Sequence, residues 1–203
     1  NDEGGDKLNL ILDHNTTATI AWTNPDTWGN KNGPIDVIAQ LKADTNNWKG
    51  TITPSNYTMD QSTVSNGANY TVDYSDYTAR LITANEIAQI TGKEGWDETS
   101  DSASSYYFDS LTDMESPTCT FGDTSECQYG WLYDRTSYDC TDSGCFNNSD
   151  TKTYGYWTVS SSASDSSGVW YVGCYGYTND DSAVGSDVDF GVRPVITILK
   201  SQL

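Results

Sequence analysis

"WTVSSSASDSSGVWYVGCYGYTND", Trp157 to Asp180, decides how the C-terminal half of this chain folds. Between Val159 and Gly168 nearly every residue is Ser, Ala or Asp, which alone describes a flexible linker. The flanks say otherwise. "YGYWTV" (Tyr154–Val159) precedes the serine run and "GVWYVGCYGY" (Gly168–Tyr177) follows it. Aromatic and β-branched residues in such runs predict strands. The serine run is then a loop fixed at both ends, with Trp157 and Trp170 as core anchors on successive strands. Period-two alternation sets Trp170 and Val172 on one face, and Val169, Tyr171 and Gly173 on the other. Cys174 falls with Trp170, so an inert buried thiol is expected there.

Outward from this stretch, the two polar loops are the candidate binding surface. Ser160, Ser161, Ser162, Ser164, Asp165 and Ser167 come from the first loop. Tyr175, Tyr177, Asn179 and Asp180 come from the second, Tyr175–Asp181. Tyr, Ser, Gly, Asn and Asp combine rigid aromatic area with small hydrogen-bonding groups, as recognition loops do. The two loops are expected side by side, held by a last strand in "FGVRPVITIL", where Val192–Leu199 is nearly all apolar. Arg193 within it reads as a partly buried structural guanidinium that pairs with a carboxylate and pins loops together.

The N-terminal half supplies the helices. "NGPIDVIAQLKADTNNWKG" predicts a helix with Pro34 at its first position and an apolar stripe of Ile35, Ile38, Leu41 and Val37, ending at Gly50. "ARLITANEIAQITG" carries a T-x-x-E capping box at Thr83 and Glu86, with the helix running to about Thr91 and a strand, "YTARLI", before it. "ANYTVDY" is strand-like, and Leu8–Leu12 with Thr17–Trp22 reads as a hairpin around His14–Asn15–Thr16. His14, the single histidine, is a turn residue in this reading. Two helices among many strands make an α+β chain, 1–203, of one domain.

Composition bounds the function. The 203 residues carry 10 Lys and Arg against 29 Asp and Glu, a net charge of −19, with a mean hydropathy of −0.61. Seven Trp, fourteen Tyr and four Phe argue for order despite that charge. A chain of this length buries roughly 70% of its unfolded surface. Thinly spread cations make nucleic acid an unsuitable partner. There is no stretch of about 20 apolar residues and no signal-peptide pattern. The opening "NDEGGDK", without Met, is expected of a processed protein or excised ectodomain.

Cys119, Cys127, Cys140 and Cys145 cluster while Cys174 stands apart. Local closure favours the disulfides Cys119–Cys127 and Cys140–Cys145, although sequence leaves other connectivities and a Cys₄ zinc site open. Disulfides place the protein in an oxidising, extracellular setting. No cofactor is expected. Asp180, Asp181, Asp187 and Asp189 form an acidic loop without EF-hand spacing, which leaves Ca²⁺ as an alternative to plain solvation. No H-E-x-x-H or G-x-S-x-G occurs, and one histidine serves no triad, so no enzyme activity is expected.

The order of elements, together with "ARLITANEI", "YGYWTVS", "GVWYV" and "FGVRPVITI", resembles the C-type lectin-like fold of bacterial exported domains. The opening "LILDHNTTATIAW" is similar to their pilin-like, surface-protein group. This resemblance implies paired terminal strands, small antiparallel sheets with two helices, and long disulfide-bearing loops. E-P-N, Q-P-D and W-N-D, the marks of Ca²⁺-dependent sugar binding, are missing. "GVR" (Gly191–Arg193) resembles the ending of formylglycine-generating enzymes, but Cys174 has no obvious thiol partner for their chemistry. The variable proteins of diversity-generating retroelements use the C-terminal part of the fold for binding. The expectation is an extracellular, cell-surface adhesin-like or receptor-like domain that meets a protein or glycan ligand on another cell or phage. The rival expectation is the head of a pilin-like filament subunit that self-assembles.

Overall fold

Among the described residues, helix α1 (Ile35–Thr45) and helix α2 (Ala84–Ile90) stand with nine short strands in an α+β arrangement. The computed structural model describes residues 5–17, 19–23, 29–49, 51–109, 127–133, 155–183 and 190–203. The strands are β1 (Lys7–Ile11), β2 (Tyr57–Asp60), β3 (Asn69–Val72), β4 (Tyr106–Tyr107), β5 (Gly155–Ser161), β6 (Gly168–Gly173), β7 (Tyr177–Ser182), β8 (Phe190–Gly191) and β9 (Val195–Leu199). They form two ribbons, β1–β9 and β2–β3, and one five-stranded sheet ordered β4-β7-β6-β5-β8. All pairs are antiparallel except β5–β8.

The N-terminal strand found a different partner from the one its local pattern predicts. Leu8–Leu12 does not pair with Thr17–Trp22. Instead β1 runs antiparallel to β9, Lys7 opposite Leu199 and Ile11 opposite Val195, so the terminal strands pair as the resemblance implies. The expected turn is held by other groups. Fully buried Asn15 donates to the Gly155 carbonyl, and Thr16 and Thr17 donate to Asp44 on α1. Residues 16–17 and 19–23 then lie along the C-terminal strands, with Ile20 N–H bonding Phe190 O and Trp22 N–H bonding Ala183 O.

The run Val192–Leu199 is not one strand. Arg193 and Pro194 break it between β8 and β9, because Pro cannot donate to a ladder. Arg193 is fully buried there. Nε donates to Leu12 O at 2.7 Å, Nη1 to Leu132 O at 2.6 Å, and Nη2 to Trp131 O and Asp13 O. Its guanidinium also lies over the Tyr156 ring, 5.2 Å from the centroid. The guanidinium does pin loops, and its bonds to the described residues go to main-chain carbonyls. A rigid fork of five donors suits that task.

Helix α1 begins one residue later than expected, with Pro34 at the N-cap. Its buried stripe is Val37, Ile38, Leu41 and Thr45, while Ile35 is exposed. The turn of about 100° per residue aligns 37/38 with 41 and 45 and swings 35 away. The expected strand in "YTARLI" is reduced to a single bridge, Arg80 opposite Val195.

The five-stranded sheet is covered on both faces. Trp157, Val159, Val169, Tyr171 and Phe190 pack with Trp22, Val37, Leu41 and Tyr70 on one side. Tyr156 and Val172 pack with Ile87, Leu132, Tyr133 and Val195 on the other. Trp157 and Trp170 are both buried anchors, as expected. Cys174 is buried and free, and burial pushes its thiol up to about 12. Cys127 is disulfide-bonded. Cys119, Cys140 and Cys145 lie outside the described residues, and with them the two expected pairings. No helix among the described residues is long and apolar enough to cross a membrane.

Candidate functional site

The ten candidate residues do not form one surface. Ser160, Ser161 and Ser162 are fully buried, which removes them from any ligand-facing role. The cause is a bulge in β5. Trp157 sits opposite Tyr171, yet Ser161 sits opposite Val169, so β5 spends more residues than β6 over the same span. The displaced polar groups bond outside the ladder. Thr158 O accepts from Trp22 Nε1 at 2.9 Å, Val159 N–H donates to Ile82 O at 3.0 Å, and Val159 O accepts from Tyr70 at 2.5 Å. Small hydroxyl side chains fit such a bulge because they hydrogen-bond locally and add little volume.

Ser160 reaches the N-terminus of α2. Three orphan N–H groups there each find an oxygen: Ala84 N–H bonds Ser160 Oγ, Asn85 N–H bonds Glu98 Oε2, and Glu86 N–H bonds Thr83 Oγ1. The capping box at Thr83 and Glu86 is present as expected, and Arg80 holds the Glu86 carboxylate with two nitrogens. Glu98 was not legible as a buried residue. It also accepts from Ser160 Oγ at 2.5 Å and from the Tyr57 hydroxyl at 2.9 Å. Burial raises its carboxyl above the ordinary value, and these donors oppose that rise. Burial also raises the Tyr57 phenol, with the Glu98 charge adding to it.

The tip of the serine turn does reach solvent. Ser164 and Asp165 are exposed and Ser167 is half-buried. The turn is nonetheless clamped from below by Asn30, whose Nδ2 lies 3.0 Å from Ser162 O, 2.8 Å from Asp165 O and 2.7 Å from Gly168 O. Gly29 allows the clamp to close. Its φ is +100°, and a Cβ there would stand 2.7 Å from Ser166 O. Asp165 closes the turn itself, accepting from Ser167 N–H and Ser167 Oγ.

The tyrosine turn lies at the other end of β6. Gly168 pairs with Ser182 and Gly173 with Tyr177, so the length of β6, about 17 Å, separates the two turns. The expected side-by-side arrangement is therefore corrected: a hairpin places successive turns at opposite ends of their shared strand. Asp180 pairs with Trp170 and Asp181 with Val169, within β7 rather than in a loop, toward the serine end. Asp187 and Asp189 lie outside the described residues. Among the described residues no group of three His, Cys, Asp or Glu is placed to hold a metal.

At the tyrosine end the structure gathers an aromatic surface. Tyr107 is 57% exposed and Tyr175 37%. Tyr177 lies between them, 5.3 Å from Tyr107 and 6.3 Å from Tyr175 by ring centroid, with Tyr175 parallel to within 9°. Tyr171 anchors the group from the core, stacked on Phe190 at 3.9 Å and edge-on to Tyr177 at 5.8 Å. Polar groups border it: the Tyr171 and Tyr177 hydroxyls are 3.3 Å apart, Asn179 Nδ2 donates to Tyr171, and Ser105 bonds Asn179. Gly176, with φ +70°, makes the tight turn; its carbonyl accepts from Phe108 and Asp109 N–H groups. Burial raises the Tyr171 and Tyr177 phenols, with Asp181 and Asp180 adding to the rise at Tyr171. These phenols stay protonated at neutral pH and offer neutral rings and hydroxyls. Tyr107 and Ser105 were missed in the sequence. The signal was "SSYYF" (Ser104–Phe108), an aromatic run within a serine-rich region.

Elsewhere a groove of about 290 Å³ runs between the terminal ribbon and α2, lined by Leu10, Ile11, Ile82, Ile90 and Val195. Its ionic wall, Arg80 and Glu86, is already used in capping α2. Comparison with known family models, curated proteins and solved structures finds no match for this chain.

Proposed function

We propose that this chain is an exported, non-enzymatic binding domain of C-type lectin-like type, displayed at the cell surface. Its ligand-contacting surface is the tyrosine end of the sheet. The observation that carries the reading is the pair of exposed rings Tyr107 and Tyr175 with half-buried Tyr177 between them, backed by core residues Tyr171 and Phe190. Tyrosines held this way lose little conformational freedom on binding and present both apolar area and a hydroxyl. Asn179 and Ser105 supply adaptable hydrogen bonds at the border. The four clustered cysteines fit an oxidising location in this reading. Protein and glycan arrays test it: signal from the intact protein should fall when Tyr175→Ala and Tyr177→Ala are combined. An undiminished signal would move the surface elsewhere.

A further inference from the structure

β7 presents Tyr177, Asn179 and Asp181 on one face of the sheet, because alternate residues of a strand share a face. Tyr107 joins that row, paired opposite Tyr177 on β4. β4 is only two residues long, so it covers β7 at Tyr177 and Thr178. On the side of β7 away from β6, and beyond Ser105, which bonds Asn179, no described strand lies beside Asp180, Asp181 or Ser182. The outcome is a half-open sheet edge with exposed aromatic rings at one end and an exposed carboxylate at the other.

Charge decides what suits this edge. The chain carries −19 in total, a field that draws cations toward it and repels a second copy. The chain places its own cations over tyrosine rings elsewhere: Lys42 over Tyr77, Lys93 over Tyr106 and Arg193 over Tyr156. Lys93 takes the face of β4 opposite to the one Tyr107 occupies. Among the described residues no cation lies over Tyr107 or Tyr177. A neutral ring with an open face attracts a guanidinium or ammonium, more strongly when a carboxylate stands close by.

Resting on the binding reading above, we propose that a basic, extended segment of a partner protein lies along the row Tyr107, Tyr177, Asn179 and Asp181. Its alternate side chains match the spacing of the row. One Arg or Lys stacks on the tyrosine rings, and another, about 13 Å further along, pairs with Asp181. The outer side of Asp180–Ser182, away from β6, takes main-chain bonds from the same segment, as a sheet edge does from an added strand. Asp180 and Asp181 keep acidic or neutral strands from using that edge.

The test is calorimetric titration at physiological salt with a capped heptapeptide of alternating Arg and Thr, and with its Glu–Thr counterpart. The Arg peptide should bind one to one and the Glu peptide should not. Tyr107→Ala and Asp181→Asn should each weaken binding roughly three- to tenfold. Tyr107→Phe should retain most of it, which separates ring stacking from misfolding. Asp73→Asn makes the same charge change at an exposed residue just past β3 and should alter affinity less than about twofold. Equal losses in Asp73→Asn and Asp181→Asn would reveal diffuse attraction and overturn the proposal. So would unchanged binding in Tyr107→Ala. A neutral oligosaccharide that binds through Tyr175 and Tyr177 without regard to Asp181 would also overturn it, while leaving the broader binding reading intact.

Discussion

The two hairpin turns that flank β6 have similar compositions and opposite fates. Ser160–Ser167 and Tyr175–Asp181 are both rich in small polar residues, and each alone looks like a solvent-facing loop. The serine turn spends its polar groups inward: on Glu98 and the α2 N-terminus through Ser160, and on Asn30 through three carbonyls. The tyrosine turn spends its own outward, leaving Tyr107 and Tyr175 in solvent while Tyr171 holds the base. What separates them is whether a buried partner waits beneath, not the residues of the turn.

That contrast can be broken by removing the partner. Asn30→Ala deletes the amide whose two hydrogens are shared among three carbonyls inside the clamp, and we expect a loss of about 3 kcal/mol in urea unfolding. A loss below about 1 kcal/mol would mean that the serine turn stands without its clamp. Glu98→Ala should cost somewhat less, about 2 kcal/mol, because it leaves the Asn85 N–H and two hydroxyls without an acceptor.

The pH response sharpens the same point. Glu98 has a raised carboxyl in the folded protein, from an ordinary value of 4.5, so folding favours its protonated form. That contribution is complete below 4.5 and is lost as pH rises through the higher folded value. Glu98→Gln cannot ionise and should escape this loss. The stability difference between wild type and Glu98→Gln should therefore shift against wild type as pH climbs from 4.5 toward neutrality. A difference constant across that range would show that the donors around Glu98 cancel its burial.

Changes at the tyrosine end should barely register in stability. Tyr175→Ala is expected to cost no more than about 0.5 kcal/mol, since its ring is exposed and turn geometry is set by Gly176. A cost near that of Asn30→Ala would make the tyrosine turn structural too. The smallest effect expected is at Cys174: alkylating reagent should leave it unmodified until denaturant is added, since the thiol is both buried and held protonated.

Much of the architecture was legible where the signal is local. The α2 capping box needs only Thr83 and Glu86 three positions apart in one chain segment, and it forms as written. The strands flanking the serine run were equally plain, since Trp157 and Trp170 sit in apolar runs that suit no loop. The misreadings are all non-local. The N-terminal hairpin was the cheapest closure, but β9 offered Leu8–Ile11 a better-matched partner across the whole chain. Ser160–Ser162 looked exposed because nothing nearby reveals a bulge, nor the Glu98 and Tyr70 oxygens that receive its groups. Tyr107 was overlooked because its pairing with Tyr177 joins residues far apart in sequence.

By itself, the sequence determined that this acidic, tyrosine-rich chain folds as α+β, with two helices and with strands on either side of the serine run. Those features follow from periodicity, capping and propensity, all of which act over a few residues. Only the tertiary structure decided which polar residues face water. A hydroxyl or carboxylate is buried when donors and acceptors from distant segments converge on it, and that convergence is a property of the assembled sheet. Hence the serine turn became a tie for α2, and the tyrosine turn kept its rings for solvent.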